Sequence, residues 1–360
     1  MSTERLTVLK SLNEGLHAAF ASDERVYLLG EDVLDPYGGA FKVSRGLSSA
    51  FPHRVWSTPI SEAGIVGIAT GMAMRGLRPV VEIMFGDFLT LTADQIINHA
   101  TKFSWMYDGG TTDFPVKVPL VVRTPMGGRR GYGPTHSQTL EKIFLGVPGL
   151  RVVAPDSYSL GENTQPGDLL RQAILYENQP VLFIENKLQY LLPLQSQAAT
   201  SEWEVNQHSN LNRYNQAHLS PVYPTYTLKV RAAPPATVTL TSYGYMAELA
   251  RQAVLRLAYE HEIFTELVVF TQLSPFWIEP LLESCLRTTR LLTIEEGSGT
   301  LGWGAEILAM VATASNIHLT GLGRLAAKDS PIPASAPLEA AVLPDIEAII
   351  QANIKLVHRS

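Results

Sequence analysis

The chain has 360 residues, 46% of them hydrophobic and 17% charged, a formal net charge of −6 and a single cysteine. That length exceeds one hydrophobic core, so two domains are expected, and the apolar fraction excludes a disordered chain. The acidic balance excludes nucleic acid and anionic membranes as partners, and one cysteine excludes a disulfide framework or a multi-cysteine metal site.

No apolar run approaches the length of a membrane span and the N-terminus lacks a signal-peptide core, so the cytoplasm is the expected compartment. An apolar face at Leu6, Val8, Leu9, Leu12, Leu16 and Phe20 recurs near the helical period and predicts a first helix. Val26-Tyr27-Leu28-Leu29 then reads as a short strand ending at Gly30-Glu31-Asp32. Its acids emerge at the carboxyl end of a strand, where open parallel sheets hold ligands.

Next, Ser57-Thr58-Pro59-Ile60-Ser61-Glu62 leads into a glycine-dotted apolar helix over 63–75, with one carboxylate at its head. Glu62 has two readings. In one it charges the first turn of the helix, where the macrodipole favours an acid and Ser61 can cap. In the other, apolar surroundings raise its pKa, so that it can give a proton to a ring nitrogen.

Strands at 80–83, 120–122, 150–153 and 181–184 alternate with helices at 63–75, 92–103 and 169–176, which predicts an α/β fold with a doubly wound parallel sheet. The glycines and proline of Leu160 to Gly167 are expected to break a helix there. From 192 to 232 the composition turns to Gln, Asn, Ser and Pro, as in Asn206-Gln207-His208-Ser209-Asn210 and beyond to Pro221 and Pro224, and reads as a linker. Strands at 237–241, 267–270 and 291–294, with helices at 246–259, 277–287 and 303–314, predict a smaller second α/β domain. The domains are therefore expected at 1–191 and 233–360, joined by 192–232. Cys285 falls in the helical pattern at 277–287 and reads as a buried packing thiol.

Gly297-Ser298-Gly299-Thr300-Leu301-Gly302 fits a dinucleotide fingerprint, yet no acid follows about 20 residues on, where a ribose would need one. Walker, nucleophile-elbow and His-Glu-x-x-His motifs are absent, which leaves kinase and hydrolase readings without support.

Further blocks are Phe41 to Leu47, Glu82-Ile83-Met84-Phe85-Gly86-Asp87-Phe88, Ala93-Asp94-Gln95-Ile96-Ile97-Asn98, Gly131-Tyr132-Gly133-Pro134-Thr135-His136-Ser137-Gln138 and Pro148 to Pro155. With the Gly30 and Glu62 segments, in this order and spacing, the chain resembles the beta subunit of the decarboxylating component of thiamine-diphosphate-dependent 2-oxo acid dehydrogenase complexes. The resemblance is strong over residues 5–190 and looser from 237 onward.

The resemblance implies a pyrimidine-binding domain followed by a transketolase-type C-terminal domain, with thiamine diphosphate as cofactor. Glu62 matches the acid that protonates the aminopyrimidine ring. Phe88 matches the aromatic lying on that ring, with Phe85 as the competing aromatic, and Ile60 and Met84 flank these positions as ring walls or as core. His136 matches the histidine that contacts the substrate and assists reductive acylation of the lipoyl group, work that suits an imidazole in a glycine-rich loop. Glu31 matches an acid in proton communication near the cofactor; its alternative is a solvated acid ending a strand. Arg129 and Arg130 either steer an anionic substrate or form a solvated loop.

The family holds the cofactor's diphosphate through magnesium with a Gly-Asp-Gly motif and a later Asn on an alpha subunit. This chain has no Gly-Asp-Gly, since Gly86-Asp87-Phe88 and Gly167-Asp168-Leu169 lack the second glycine. It is thus expected to carry no metal site and to need the alpha subunit, as two alpha with two beta. A lipoyl acyltransferase and a small 2-oxo acid, pyruvate or branched-chain, complete the implied partners. Leu91 departs from pyruvate-specific relatives, and the 160–167 stretch departs where the family often binds potassium. A different class of function is a non-catalytic assembly or regulatory subunit that keeps the fold.

Overall fold

A computed structural model describes residues 6–107, 116–161, 163–196, 201–209 and 223–358. The first-domain strands are β1 (Val26–Gly30), β2 (Val55–Ser57), β3 (Arg78–Glu82), β4 (Val121–Met126), β5 (Arg151–Val153), β6 (Tyr158–Ser159), β7 (Val181–Asn186) and β8 (Gln195–Ser196). They are followed by β9 (Trp203–His208), β10 (Thr225–Val230), β11 (Val238–Ser242), β12 (Thr265–Phe270), β13 (Gln272–Ser274), β14 (Arg290–Ser298) and β15 (Gly321–Ala327).

One sheet has the order β13-β5-β7-β4-β3-β1-β2, parallel throughout except for the antiparallel edge strand β13. Successive residues of its strands serve opposite faces. Leu28, Val80, Val121, Val181 and Phe183 pack beneath the helices Val8–Ser22 and Pro166–Tyr176, while Leu29, Val81, Val122 and Leu182 pack beneath Glu62–Met74. Burial on both faces is why these strands read as continuous apolar runs.

The first helix starts at Thr7, whose hydroxyl accepts from Lys10 N at 3.3 Å. It crosses Pro166–Tyr176 at two glycines: a Cβ on Gly15 would stand 2.1 Å from Gly167 O, and one on Gly167 would stand 1.9 Å from Ser11 O. The break expected over 160–167 holds for the described residues up to Gln165, which are not helical, and is corrected only at its end. Pro166 and Gly167 open the helix rather than break it, with proline in the first turn and a Gln165–Asp168 capping box.

The helix expected at 92–103 is also longer and composite. It runs as Leu89–Asp94, a π-helical turn Gln95–Ala100, and Thr101–Tyr107.

The second sheet has the order β15-β14-β11-β12-β10-β9, with β10 and β9 antiparallel at one edge. This corrects the reading of 192–232 as a linker, because β8, β9 and β10 all come from it. Polar Glu204, Asn206 and Gln207 line an edge strand with only Trp203 buried, so its composition resembles a connection, while Tyr226 and Leu228 of β10 are core. Residues 197–200 and 210–222, including Pro221, lie outside the described residues.

The two sheets share one core: Tyr243, Phe270, Cys285 and Trp303 pack in the same cluster as Leu29, Val81 and Val122. Burial pushes the Cys285 thiol up to about 12, which suits packing rather than reactivity. Gly302, the last glycine of the fingerprint-like loop, and Gly304 in the helix after it make room for the buried Glu295 carboxylate, 2.4 and 2.9 Å from their missing Cβ positions, so packing accounts for these two. Among the described residues no helix is long and apolar enough to cross a membrane.

Candidate active site

Five adjacent parallel strands, β7-β4-β3-β1-β2, deliver the candidate residues to one edge. Gly30 lies opposite both Ser57 and Glu82, so β1, β2 and β3 end level, while Glu82 lies opposite Arg123 and β4 and β7 run on together to the Met126–Asn186 pair. Glu31 follows β1, Ile60 and Glu62 follow β2, Met84 to Phe88 follow β3, the glycine-rich loop with His136 follows β4, and Lys187 follows β7. The carboxyl edge of an open parallel sheet is where such folds bind ligands.

Glu62 is the first residue of helix Glu62–Met74 and is only 6% exposed. Glu62 does stand in the first turn, where the macrodipole favours an acid, but Ser61 makes no side-chain capping bond. Glu31 is buried beside it. Burial, then the Glu62 charge, pushes the Glu31 carboxyl above its ordinary value, while the Ser61 backbone N–H pulls the other way. Its Oε1 has no hydrogen-bond partner among the described residues. Glu31 therefore retains a proton more readily than it would in water.

The aromatic groups gather on the next loops. The His136 ring meets Phe85 edge-on at 4.6 Å and Phe88 at 5.4 Å, and Phe85 meets Phe88 at 5.8 Å and Tyr132 at 6.0 Å. Phe88 and His136 are therefore brought together in direct contact, and Phe85 completes a triangle of rings with them rather than taking the place of either. Met84 is half-buried, whereas Ile60 is 83% exposed in the single chain.

Charged groups hold the His136 loop at intervals. Gly128 N donates to Glu296 Oε1 at 2.6 Å, Arg129 N to Glu339 Oε1 at 2.7 Å, Gly131 N to Glu339 Oε2 at 3.2 Å, and Gln138 N to Asp87 Oδ2 at 3.3 Å. Lys187 Nζ donates to the His136 carbonyl and lies 5.3 Å from the ring centroids of both Phe85 and Tyr132. Burial pushes its amine down to about 8, against the opposing charges of Asp87, Glu296 and Glu339 and with that of Arg130. Arg129 is engaged with the Pro344 carbonyl, leaving Arg130 as the exposed cation of the pair.

Sequence reasoning missed Lys187, Asp87, Glu296 and Glu339. Lys187 carried a signal, a charge placed just beyond a buried strand end. Glu339 carried none, since its contact with the loop spans 210 residues of chain.

Residues 4–191 match the family model described as transketolase, pyrimidine binding domain, and residues 229–349 match transketolase, C-terminal domain. A similar relative is the mitochondrial pyruvate dehydrogenase E1 component subunit beta-1 of Arabidopsis thaliana, 33% identical over 99% of this chain and 91% of its own. The pyruvate dehydrogenase E1 component subunit beta of Leifsonia xyli is 34% identical over 97% of this chain and 94% of its own. Among solved structures, one described as a split gene transketolase, inactive beta4 tetramer, matches with a TM-score of 0.68 over 99% of both chains at 18% identity, a likeness of fold.

Proposed function

Because the chain belongs to the family of pyruvate dehydrogenase E1 component beta subunits, we propose that it works with an alpha subunit in the thiamine-diphosphate-dependent oxidative decarboxylation of a 2-oxo acid. The observation carrying this reading is the convergence of buried Glu62 and Glu31 with Phe88 and His136 at one carboxyl edge of the first sheet.

The donor set fits the aminopyrimidine half of the cofactor. A buried carboxyl at Glu62, next to a second acid with an unpartnered oxygen, can share a proton with a ring nitrogen. When bound, thiamine diphosphate supplies a carbon that adds to a 2-oxo carbonyl and takes up the electron pair left as carbon dioxide departs. Glu62 holds the proton at its carboxyl, Glu31 keeps that proton from water, and Phe88, with Met84 and Ile60 as neighbouring walls, presents an apolar face to the ring. His136 offers an imidazole to the substrate and to the acyl group on its way to a lipoyl acyltransferase.

The diphosphate and its magnesium belong to the alpha subunit in this reading, since this chain lacks Gly-Asp-Gly; no potassium ion is assigned. Ile60, Ile68, Leu91 and Trp105, at 83%, 60%, 56% and 79% exposure, form apolar surface that an assembly of two alpha with two beta would cover. The cytoplasm is the proposed compartment, and fractionation would separate this from the mitochondrial setting of some relatives.

The test is co-expression with the alpha subunit and an assay of thiamine-dependent decarboxylation over pyruvate and branched-chain 2-oxo acids, with Glu62→Gln alongside. The expected loss in Glu62→Gln is about 100-fold or more. Cofactor binding without turnover of any 2-oxo acid would instead identify a non-catalytic assembly subunit. A variant as active as wild type would remove Glu62 from the mechanism.

A further inference from the structure

The geometry points to Glu339, a residue of the second domain, as a positioning residue for His136: we propose that its carboxylate holds the loop 127–133 in the shape that seats the imidazole against Phe85 and Phe88. This rests on the reading of His136 as a site residue.

The loop is unusual in its backbone. Gly127, Arg129, Gly131 and Gly133 all take positive φ, at 98°, 66°, 66° and 77°. At Arg129, which has a Cβ, that conformation is unfavourable and persists only where its surroundings impose it. The residues between turn back so that the N–H groups of Arg129 and Gly131 converge on one carboxylate, a backbone cradle for an anion. Glu339 is that anion, 4% exposed on the short helix Ala336–Val342. The packing leaves no slack, since a Cβ on Gly128 would stand 2.6 Å from Leu343 Cδ1 and one on Gly131 would stand 3.2 Å from Ala334 O. Lys187 and Asp87 secure only the loop's far end, at His136 O and Gln138 N. Glu339 secures its middle, and the second domain thereby sets where a first-domain imidazole lies.

The experiment uses the protein assembled with its alpha subunit and compares wild type, Glu339→Ala, Glu339→Gln, His136→Ala, the double variant Glu339→Ala/His136→Ala, and the exposed-site control Leu338→Ala. Amide hydrogen exchange over 127–138 is read together with kcat, KM and thiamine diphosphate affinity. Glu339→Ala is expected to speed exchange at Arg129 and Gly131 by about tenfold or more and to lower kcat by about 10- to 100-fold. KM and cofactor affinity should stay within about twofold, because Glu62 and Phe88 lie on other elements. Glu339→Gln, which keeps one acceptor, should fall between and serves if the alanine variant does not assemble. Placed on His136→Ala, Glu339→Ala should lower kcat no further. Unchanged loop exchange, or a kcat loss that persists in full on the His136→Ala background, would overturn the proposal while the site reading stands. His136→Ala as active as wild type would overturn both.

Discussion

The imidazole of His136 stands edge-on to the Phe85 ring, with centroids 4.6 Å apart and planes at 86°. Both aromatics of the β3 loop touch the imidazole, and the proposed function gives them separate tasks. Phe85 packs closest to the histidine and also meets Phe41 and Tyr132, while Phe88 is the proposed face for the cofactor ring. Phe88→Ala is expected to weaken thiamine diphosphate binding by about two- to tenfold, the worth of one ring contact. Phe85→Ala should lower kcat by about tenfold or more with cofactor affinity nearly unchanged. Cofactor titration by tryptophan fluorescence and steady-state kinetics on the assembled enzyme separate the two.

Lys187→Met keeps the apolar stem and removes the donor to the His136 carbonyl. A kcat loss of about tenfold is expected from the loosened loop. The variant also has a signature in pH. The folded amine sits at about 8, below its ordinary 10.5, so between those values the unfolded chain binds more protons and stability rises with pH. Denaturant midpoints at pH 8 and pH 10 should show that rise in wild type and a smaller one in Lys187→Met.

Glu141 has the opposite sign. Burial pushes its carboxyl up to about 7, with the Tyr243 hydroxyl pulling it down and the Glu295 and Glu296 charges pushing it further up. The folded chain thus keeps this proton where the unfolded chain releases it. The stability it contributes is full below the ordinary 4.5 and is lost as pH rises to 7. Glu141→Gln cannot ionise, so melting temperatures taken from pH 4.5 to 7.5 should decline less steeply than in wild type.

Gly167→Ala tests the crossing of the first helix over Pro166–Tyr176. The added Cβ would stand 1.9 Å from Ser11 O, a backbone atom that cannot swing aside. Forcing the helices apart should destabilise the first domain by about 2–3 kcal/mol, read from urea unfolding.

Much of this was legible beforehand because it is local. Strands buried on both faces show as apolar runs at 80–83 and 181–184, and the helices between them show as periodic faces. Glu62, Phe88 and His136 each sit in a motif a few residues long. The parts that were not legible are those where composition and structure part company. Trp203–His208 is a polar edge strand that reads as a linker, because beyond the buried Trp203 its side chains are polar or partly exposed and the pairing that makes it a strand is that of its backbone. Pro166 and Gly167 read as helix breakers, yet proline is at home in a first turn and glycine is required where Ser11 O approaches.

The sequence by itself determined the fold class, the presence of an acid, an aromatic and a histidine at strand ends, and the lack of a Gly-Asp-Gly diphosphate motif, since each follows from short spacings along the chain. Only the tertiary structure decided that Phe85, Phe88 and His136 meet in one triangle of rings, that burial and the Glu62 charge raise the Glu31 carboxyl, and that a carboxylate of the second domain grips the His136 loop. The physical reason is distance along the chain. Glu339 and Arg129 are 210 residues apart, and nothing in either neighbourhood encodes a contact made only when both sheets pack into one core.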